Sequence, residues 1–250
     1  MSDPFDSSRA ILTLTGPDAA HLLQGILTQD ITKLNDDKIQ FAALLSPQGK
    51  ILHDMFVITG DNQILLDTPA MYKDILLKRL AMYKLRAQVT IADASDHLHV
   101  HYGAADGLAD PRHPDLPTRS YEPAAVTPLT PADYRARSLA LGIPDSAHDF
   151  APDEVVALDA GYDLLHAISF TKGCYVGQEV TARMHYKNIA RRGFFILESD
   201  LLPPRLALLK FEDVEAKNGA VTVDNHPYHA HLPAWLKPKF DQFQSASKKQ

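Results

Sequence analysis

Two apolar runs joined by a four-residue turn constrain the fold of this chain more than any other feature. Residues 41–45 and 51–58 are rich in aliphatic and aromatic side chains, as buried strands are. Between them stands Ser46-Pro47-Gln48-Gly49, with proline at the second position and glycine at the fourth, which is typical of a type I turn. A connection this short can join only antiparallel neighbours. The sequence therefore predicts an antiparallel meander and excludes a purely parallel sheet.

Helical and strand patterns alternate on both sides of this meander. Residues 11–14 and 64–66 are further short apolar runs, and Pro17 stands where a helix should begin. A second helix is predicted after the meander, capped at Asp67 or Thr68. Its apolar positions keep helical spacing at Met71, Ile75, Leu76, Leu80 and Tyr83. The chain therefore mixes helices with antiparallel strands.

The C-terminal half is organised differently. Residues 111–131 are rich in proline, which predicts a long irregular connection. A capping pattern at Thr130 then starts a helix that should end at Gly142. Residues 193–197 and 207–211 are predicted strands of a smaller unit, and the polar tail after Pro238 is expected to be frayed.

Composition excludes several classes of protein. The only cysteine is Cys174, so neither an intramolecular disulfide nor an all-cysteine metal site can form within one chain. The net charge is −6, which argues against generic binding to nucleic acid or to an anionic membrane. No signal peptide pattern is visible at the N-terminus. We therefore expect a monomeric protein of a reducing, cytoplasmic environment.

The stretch around Cys174 combines several unusual choices. Gly173 and Gly177 flank the cysteine, and glycine lets a backbone approach a ligand closely. Residues 170–192 carry five positive charges and one negative charge, so the remainder of the chain has a net charge of −10. Such a segment suits a small anionic ligand or an acidic partner. The simpler alternatives are a small buried cysteine and a solvated basic face.

Residues 172–179, Lys-Gly-Cys-Tyr-Val-Gly-Gln-Glu, resemble the K-G-C-[FY]-x-G-Q-E signature of the YgfZ family. These are folate-binding proteins of iron–sulfur cluster assembly or repair, related to the aminomethyltransferase (T-protein) of the glycine cleavage system. Further segments resemble the family in the same order along the chain. They are residues 23–30, 45–54, 110–112 and 140–144.

The resemblance implies a fold and a ligand. It implies an α+β fold, with ferredoxin-like folate-binding units and antiparallel sheets in residues 1–190, and a small, reduced C-terminal β-barrel in residues 191–250. Tetrahydrofolate would occupy a central channel. Arg183 and Arg119 are candidates for contacts with its carboxylates or its pterin, and Glu179 or Asp54 could accept hydrogen bonds from the pterin. The full set of candidates for the folate site is Lys172, Gly173, Tyr175, Gly177, Gln178, Glu179, Arg183, Arg119 and Asp54.

The implied function is that of an accessory factor for cluster assembly rather than a typical enzyme. Because a cluster needs about four ligands, Cys174 would serve as a redox thiol or as one ligand of a transient cluster shared with a carrier or client protein. The alternative is a folate-dependent aminomethyl or one-carbon transferase that uses Asp54. The cysteine signature favours the first interpretation.

Histidines suggest two weaker alternatives. His97, His99 and His101 would share one face of a strand, where three imidazoles could bind zinc. A half-exposed strand face is the simpler interpretation. A nucleophilic pair of Cys174 and His185 fits no cysteine hydrolase pattern. We therefore expect no metal site formed by this chain alone.

Overall fold

The computed structural model of this chain describes residues 6–123, 129–187 and 190–247. The strands are β1 (Arg9–Thr15), β2 (Ile39–Leu45), β3 (Ile51–Gly60), β4 (Gln63–Pro69), β5 (Thr90–Asp93), β6 (His99–Tyr102), β7 (Arg119–Glu122), β8 (Arg192–Glu198), β9 (Arg205–Lys210), β10 (Ala220–Val223) and β11 (His226–His231). The helices are α1 (Ala19–Ile26), α2 (Leu34–Asp37), α3 (Lys73–Lys84), α4 (Pro131–Ala140), α5 (Gln178–Lys187), α6 (Phe211–Ala216) and α7 (Lys237–Ser247).

The predicted meander forms the middle of a five-stranded antiparallel sheet. Its strand order is β2-β3-β4-β1-β5, with β2, β3 and β4 joined by short turns. Gly49 adopts a φ of 76° in the turn between β2 and β3, and its amide donates to the Ser46 carbonyl. Glycine is needed here because other residues rarely adopt this region.

Both faces of this sheet are covered, so its strands alternate between two cores rather than between a core and solvent. On one face, Leu12, Met55 and Leu66 pack with Leu23 of α1 and Leu80 of α3. The other face packs against the chain between α4 and α5 and against β8 and β9. This second face forms one wall of the site described below.

The predicted cap of the second helix is wrong. β4 continues through Asp67 and Thr68 to Pro69, and α3 begins only at Lys73 after a short 3₁₀ turn. Asp67 can lie on the inner face of the sheet because two arginines neutralise its charge there. The capping box at Thr130 is confirmed, since Thr130 and Asp133 each accept a backbone hydrogen bond from the other.

The C-terminal strands form a second antiparallel sheet, in the order β10-β11-β8-β9. The described strands pair as an open sheet, and the barrel and the division at residue 190 stay predictions. The prediction of a frayed tail is wrong, because α7 packs Phe240 and Phe243 against Phe211 with ring centroids 5.4 and 5.6 Å apart. These aromatic side chains stabilise the helix despite its polar sequence.

The proline-rich connection is only partly irregular. It contains β7, which pairs with β6 in a two-stranded antiparallel sheet and carries Arg119 into the interior. Residues 124–128 of this connection lie outside the described residues. Within the described parts, no helix has the length and apolar character needed to cross a membrane.

Candidate functional site

A cavity of about 480 Å³ lies between the inner face of the first sheet and the start of α4. Phe41 of β2 and Phe56 of β3 give it an aromatic wall, and Tyr102 of β6 lines it from another side. Its volume is in the range of sites for small organic ligands. The polar part of the lining includes several charged side chains, among them Arg9, Asp54, Arg112 and Arg119, of which the last three are buried.

Asp67 holds two of these charged side chains in place. Its carboxylate accepts hydrogen bonds from Arg9 Nε at 2.7 Å, Arg119 Nη2 at 2.5 Å and the Tyr121 hydroxyl at 3.0 Å. Burial alone would raise the pKa of Asp67, but Arg9 and Arg119 outweigh burial and lower the pKa below its usual value. Asp67 is therefore a buried carboxylate that both arginines require.

A second buried ion pair adjoins the first. Arg112 donates from Nε and Nη2 to both oxygens of Asp110, at 3.0 and 2.9 Å. The Tyr134 hydroxyl donates to Asp110 at 2.6 Å and accepts from Arg119 Nη1 at 2.6 Å. Tyr134 thus joins the two ion pairs into one network that connects β4, β7 and α4.

Cation–π contacts fix the guanidinium groups against the aromatic wall. The Arg119 guanidinium carbon lies 3.8 Å from the ring centroid of Phe56, and that of Arg112 lies 4.8 Å from the same centroid. Desolvated contacts of this kind stabilise a charge that would otherwise be costly to bury. The arginines are therefore rigid parts of the cavity wall.

Asp54 is buried at another part of this wall. Its Oδ1 accepts from the Ser146 hydroxyl and its Oδ2 from the Tyr162 hydroxyl, both at 2.5 Å. Burial raises the pKa of the Asp54 carboxyl, and these two hydrogen bonds oppose the rise only in part. Both oxygens are thus engaged by the protein itself.

We expect Asp54→Asn to keep the fold and to change its pH dependence. Because the pKa of Asp54 is higher in the folded chain, the free energy of unfolding should fall as pH rises from the unfolded value of about 3.9 through the folded pKa. Asparagine can accept from Ser146 and donate to Tyr162 without a charge. The variant should therefore be more stable than the wild type at pH 7.5, by about 1–2 kcal/mol.

Urea denaturation at several pH values measures this difference. The matched control is Asp61→Asn, at an exposed position in the turn between β3 and β4, which should leave the pH dependence unchanged. If Asp54→Asn were less stable than the wild type across the whole range, the charge on Asp54 would be a stabilising one and the expectation would be wrong.

The signature lies elsewhere, against the turn between β2 and β3. Gly177 adopts a φ of 82°, and a Cβ atom there would stand 2.5 Å from the Ser46 carbonyl oxygen. Glycine is therefore required by close packing as well as by conformation. Two motifs that are separate in the sequence meet at this point.

Lys172 anchors the loop that carries Cys174. Its Nζ donates to the carbonyl oxygens of Gln24, Leu27 and Gln29, at 2.7, 2.6 and 2.9 Å. Burial lowers the pKa of Lys172 to about 8, an effect that the Asp30 carboxylate opposes. Cys174, two residues later, is exposed. The loop is thus held in place by Lys172, while the Cys174 thiol is accessible to solvent.

The other signature residues have mixed surroundings. Tyr175 is buried in the core, and Gln178 begins α5. Gly173 is exposed, and a Cβ atom added there would meet no neighbour within 4 Å. Arg183 donates to Glu179 at 2.8 Å on the exposed face of α5.

The predicted site residues therefore fall into two groups. Asp54 and Arg119 line the cavity. The signature residues lie outside that lining, in a separate loop and helix whose exposed thiol is Cys174. They are Lys172, Gly173, Cys174, Tyr175, Gly177, Gln178, Glu179 and Arg183.

Sequence reasoning misses the network that holds the cavity. Asp110 and Arg112 stand in a segment that resembles the YgfZ family, but the sequence assigns them no role. The local pattern at Asp67 predicts a helix cap instead. Its alternation with Leu65 in β4 is a usable signal, because both residues share the inner face of the sheet. In the described residues, no group of three or more histidine, cysteine or acidic side chains could hold a metal ion.

Sequence comparison relates the chain to two kinds of protein. Residues 5–101 match the model of the GCVT N-terminal domain. The iron–sulfur cluster assembly factor IBA57 homolog of Pyricularia oryzae is 31% identical over 212 residues, which cover 74% of this chain and 54% of that protein. Human IBA57 is 28% identical over 225 residues, which cover 75% of this chain and 63% of that protein. The chain thus spans little more than half the length of these curated relatives.

Structural comparison supports the same fold. The chain is similar to the crystal structure of the glycine cleavage system aminomethyltransferase T from Bartonella henselae, with a TM-score of 0.64 and 11% sequence identity. The superposition covers 92% of this chain and 84% of that one. The relationship to aminomethyltransferase-like proteins is therefore confirmed at the level of fold. The features specific to YgfZ, including the ferredoxin-like units, stay predictions.

The predicted cytoplasmic location is contradicted by these relatives. The homologues from Pyricularia oryzae, Neurospora crassa and human are all named as mitochondrial proteins. A single cysteine indicates that no internal disulfide is needed, but it does not distinguish one reducing compartment from another.

Proposed function

From this likeness to iron–sulfur cluster assembly factors, we propose that the chain is an accessory factor for the assembly or repair of iron–sulfur clusters in client enzymes. It binds tetrahydrofolate in the cavity, and Cys174 acts as a redox thiol or a shared cluster ligand. The observation that carries the proposal is the contrast between Lys172, which is buried and held by three carbonyls, and the exposed Cys174. A thiol presented in this way can reach a partner without unfolding its loop.

The cluster is cargo in this proposal, and Cys174 supplies only one of its ligands. Because known clusters need about four ligands, the others must come from a carrier or client protein. The exposed ion pair of Glu179 and Arg183 on α5 follows the cysteine loop directly. These side chains are candidates for contact with that protein.

The cavity fits a reduced folate in size and chemistry. Phe41, Phe56 and Tyr102 make part of the lining aromatic, which suits a pterin, and Asp54 and Arg119 add polar groups beside them. Arg119 has its donors engaged by Asp67, Tyr121 and Tyr134. Arg135 also lines the cavity and is only partly buried. Its Nη1 and Nη2 donate to Asp149 at 3.0 and 2.6 Å, so it would pair with the anionic glutamate of the ligand through its remaining N–H groups. Tetrahydrofolate, when bound, supplies nitrogens that carry one-carbon units.

Tetrahydrofolate should raise the melting temperature, because a ligand that binds only the native state stabilises it. The expected gain is about 2.7 kcal/mol at a concentration about 100 times the Kd, or several degrees. Ala132→Trp should abolish the gain by filling the cavity from the first turn of α4. The control is Ala136→Trp, one turn later on the same helix and outside the lining. Differential scanning fluorimetry provides the measurement, and an equal ligand effect in both variants would count against this site.

The alternative is a one-carbon transferase that uses Asp54, which the position of Asp54 in the cavity wall favours. Against it, both Asp54 oxygens already accept hydrogen bonds, from Ser146 and Tyr162. Incubation with an aminomethylated lipoyl carrier and tetrahydrofolate separates the two functions. Only a transferase yields methylenetetrahydrofolate, and its formation would favour the alternative.

A further inference from the structure

The outer side of α3, together with the turn before it, carries a row of exposed apolar side chains. Met71, Ile75 and Met82 are 65%, 49% and 64% exposed and follow one another at spacings of four and seven residues. These spacings place them on one ridge, opposite the buried Leu76 and Leu80. Single exposed apolar residues are ordinary, but three on one side of a helix and the turn before it, with the exposed Lys78 between Ile75 and Met82, form a mixed apolar and basic surface of the kind that binds a partner.

Leu85, directly after the helix, extends this row. It is 86% exposed and has a φ of 45°, a region that residues other than glycine rarely adopt. Neither the conformation nor the exposure stabilises the chain by itself. Both are expected where a side chain is held outward for a partner. We call Met71, Ile75, Met82 and Leu85 the α3 stripe.

Charge indicates what kind of molecule covers the α3 stripe. Residues 73–86 contain five cations and one anion, a net charge of +4 in a chain whose total is −6. Lys73 pairs with Asp93 outside this segment. Lys78 and Arg86 are exposed. A surface complementary to this one would be acidic and would contain an aliphatic groove.

A second copy of the chain is a poor occupant. Two stripes placed face to face in a symmetric dimer would bring like charges together. A stripe placed on an acidic surface elsewhere on the copy would give a head-to-tail contact, which leads to an open chain of molecules instead of a closed dimer. An anionic membrane is also a poor match, because the stripe has no phenylalanine or tryptophan and only four apolar side chains.

We propose that the α3 stripe is a docking surface for an acidic partner protein, whose aliphatic groove receives Met71, Ile75 and Met82 and whose carboxylates pair with Lys78 and Arg86. Flexible methionine side chains suit such a groove because they adapt to its shape. The inference rests on the proposed function and extends it: the acidic partner is the protein that exchanges a cluster with Cys174.

Helix α1 connects this surface to the cysteine loop. α1 packs with α3 in one apolar cluster on the same face of the sheet. The chain at the C-terminal end of α1 also provides the carbonyls that hold Lys172. Tyr175 of that loop packs in the core on the opposite face of the sheet, so the connection between the two surfaces is α1 and its C-terminal end.

Methyl NMR of methionine tests the docking directly. The chain has five methionines, of which Met71 and Met82 report on the stripe and the buried Met55 is an internal control. The probe is a synthetic amphipathic helical peptide with leucine on one face and glutamate on the other. We expect it to shift the Met71 and Met82 signals and leave Met55 unchanged. The double variant Lys78→Glu, Arg86→Glu should lower the affinity for the peptide about tenfold.

Three comparisons keep the test specific. A peptide with the same leucine face and lysine in place of glutamate should not bind, and Leu201→Glu, at an exposed leucine remote in sequence, should leave binding unchanged. Vesicles of phosphatidylglycerol should leave both methionine signals unchanged. The proposal is overturned if the acidic peptide causes no shift, if the lysine peptide binds equally well, or if the vesicles perturb the stripe instead.

Cys174→Ala should bind the peptide normally, so a failure of the cluster function would not be confused with a failure of docking.

Discussion

Replacing Asp67 with alanine should destabilise the protein by about 3–5 kcal/mol, because it leaves Arg9 and Arg119 buried without their shared carboxylate. The Tyr121 hydroxyl would also lose an acceptor. The pKa of Asp67 is held below its usual value, so the carboxylate is charged at neutral pH and its removal is not compensated by a proton. Urea denaturation at pH 7.5 measures the loss.

A matched control and a double variant separate the ion pair from general effects of truncation. Asp93→Ala removes a partly exposed ion pair with Lys73 and two exposed hydrogen bonds from Ser95, and it should cost no more than about 1–2 kcal/mol. Adding Arg119→Met to Asp67→Ala should recover about 1 kcal/mol or more, because it removes one of the uncompensated charges. Similar losses for Asp67→Ala and Asp93→Ala would mean that the network contributes no more than a surface pair.

Cys174→Ala should abolish the proposed function while leaving the fold intact. The side chain is exposed, so its loss should change the free energy of unfolding by no more than about 0.5 kcal/mol. In cells that lack their own copy of the chain, the activity of dependent iron–sulfur enzymes should fall to the level seen without any chain. Enzyme assays in cells grown under oxidative stress provide the measurement.

The control is Thr171→Ala, an exposed position in the same loop. It should support normal enzyme activity. Full activity in the Cys174→Ala cells would contradict the thiol's role in either form, redox group or cluster ligand. Cys174→Ser further distinguishes the size of the side chain from its sulfur chemistry, and we expect it to behave like alanine.

The parts of the fold that sequence could predict are those fixed by near neighbours. The turn at Ser46 to Gly49 and the capping box of Thr130 and Asp133 each depend on residues within a few positions. The error at Asp67 has the opposite cause. Its arginine partners are 58 and 52 positions away, and a local pattern of aspartate, threonine and proline carries no trace of them.

The candidate site divides in the same way. The signature identifies Cys174 because an unusual run of residues is visible without any structure. It does not reveal that Lys172 donates to carbonyls at the C-terminal end of α1, because backbone acceptors cannot be identified from a sequence. Helix α7 escapes sequence reasoning because its few aromatic side chains are diluted by polar neighbours, and only their packing on Phe211 identifies them as core.

The anchoring of Lys172 also has a consequence for how this protein is made. Its bonds to Gln24, Leu27 and Gln29 connect positions 148, 145 and 143 residues apart, and the Thr28 hydroxyl reaches the Ala167 carbonyl across 139 residues. Contacts of such long range form late, because the chain entropy lost on closing long loops must be overcome first. During synthesis the N-terminal sheet can assemble before Cys174 has been translated, or before its loop has folded. Cys174 therefore reaches its exposed position in the folded chain only once its loop has closed onto the end of α1.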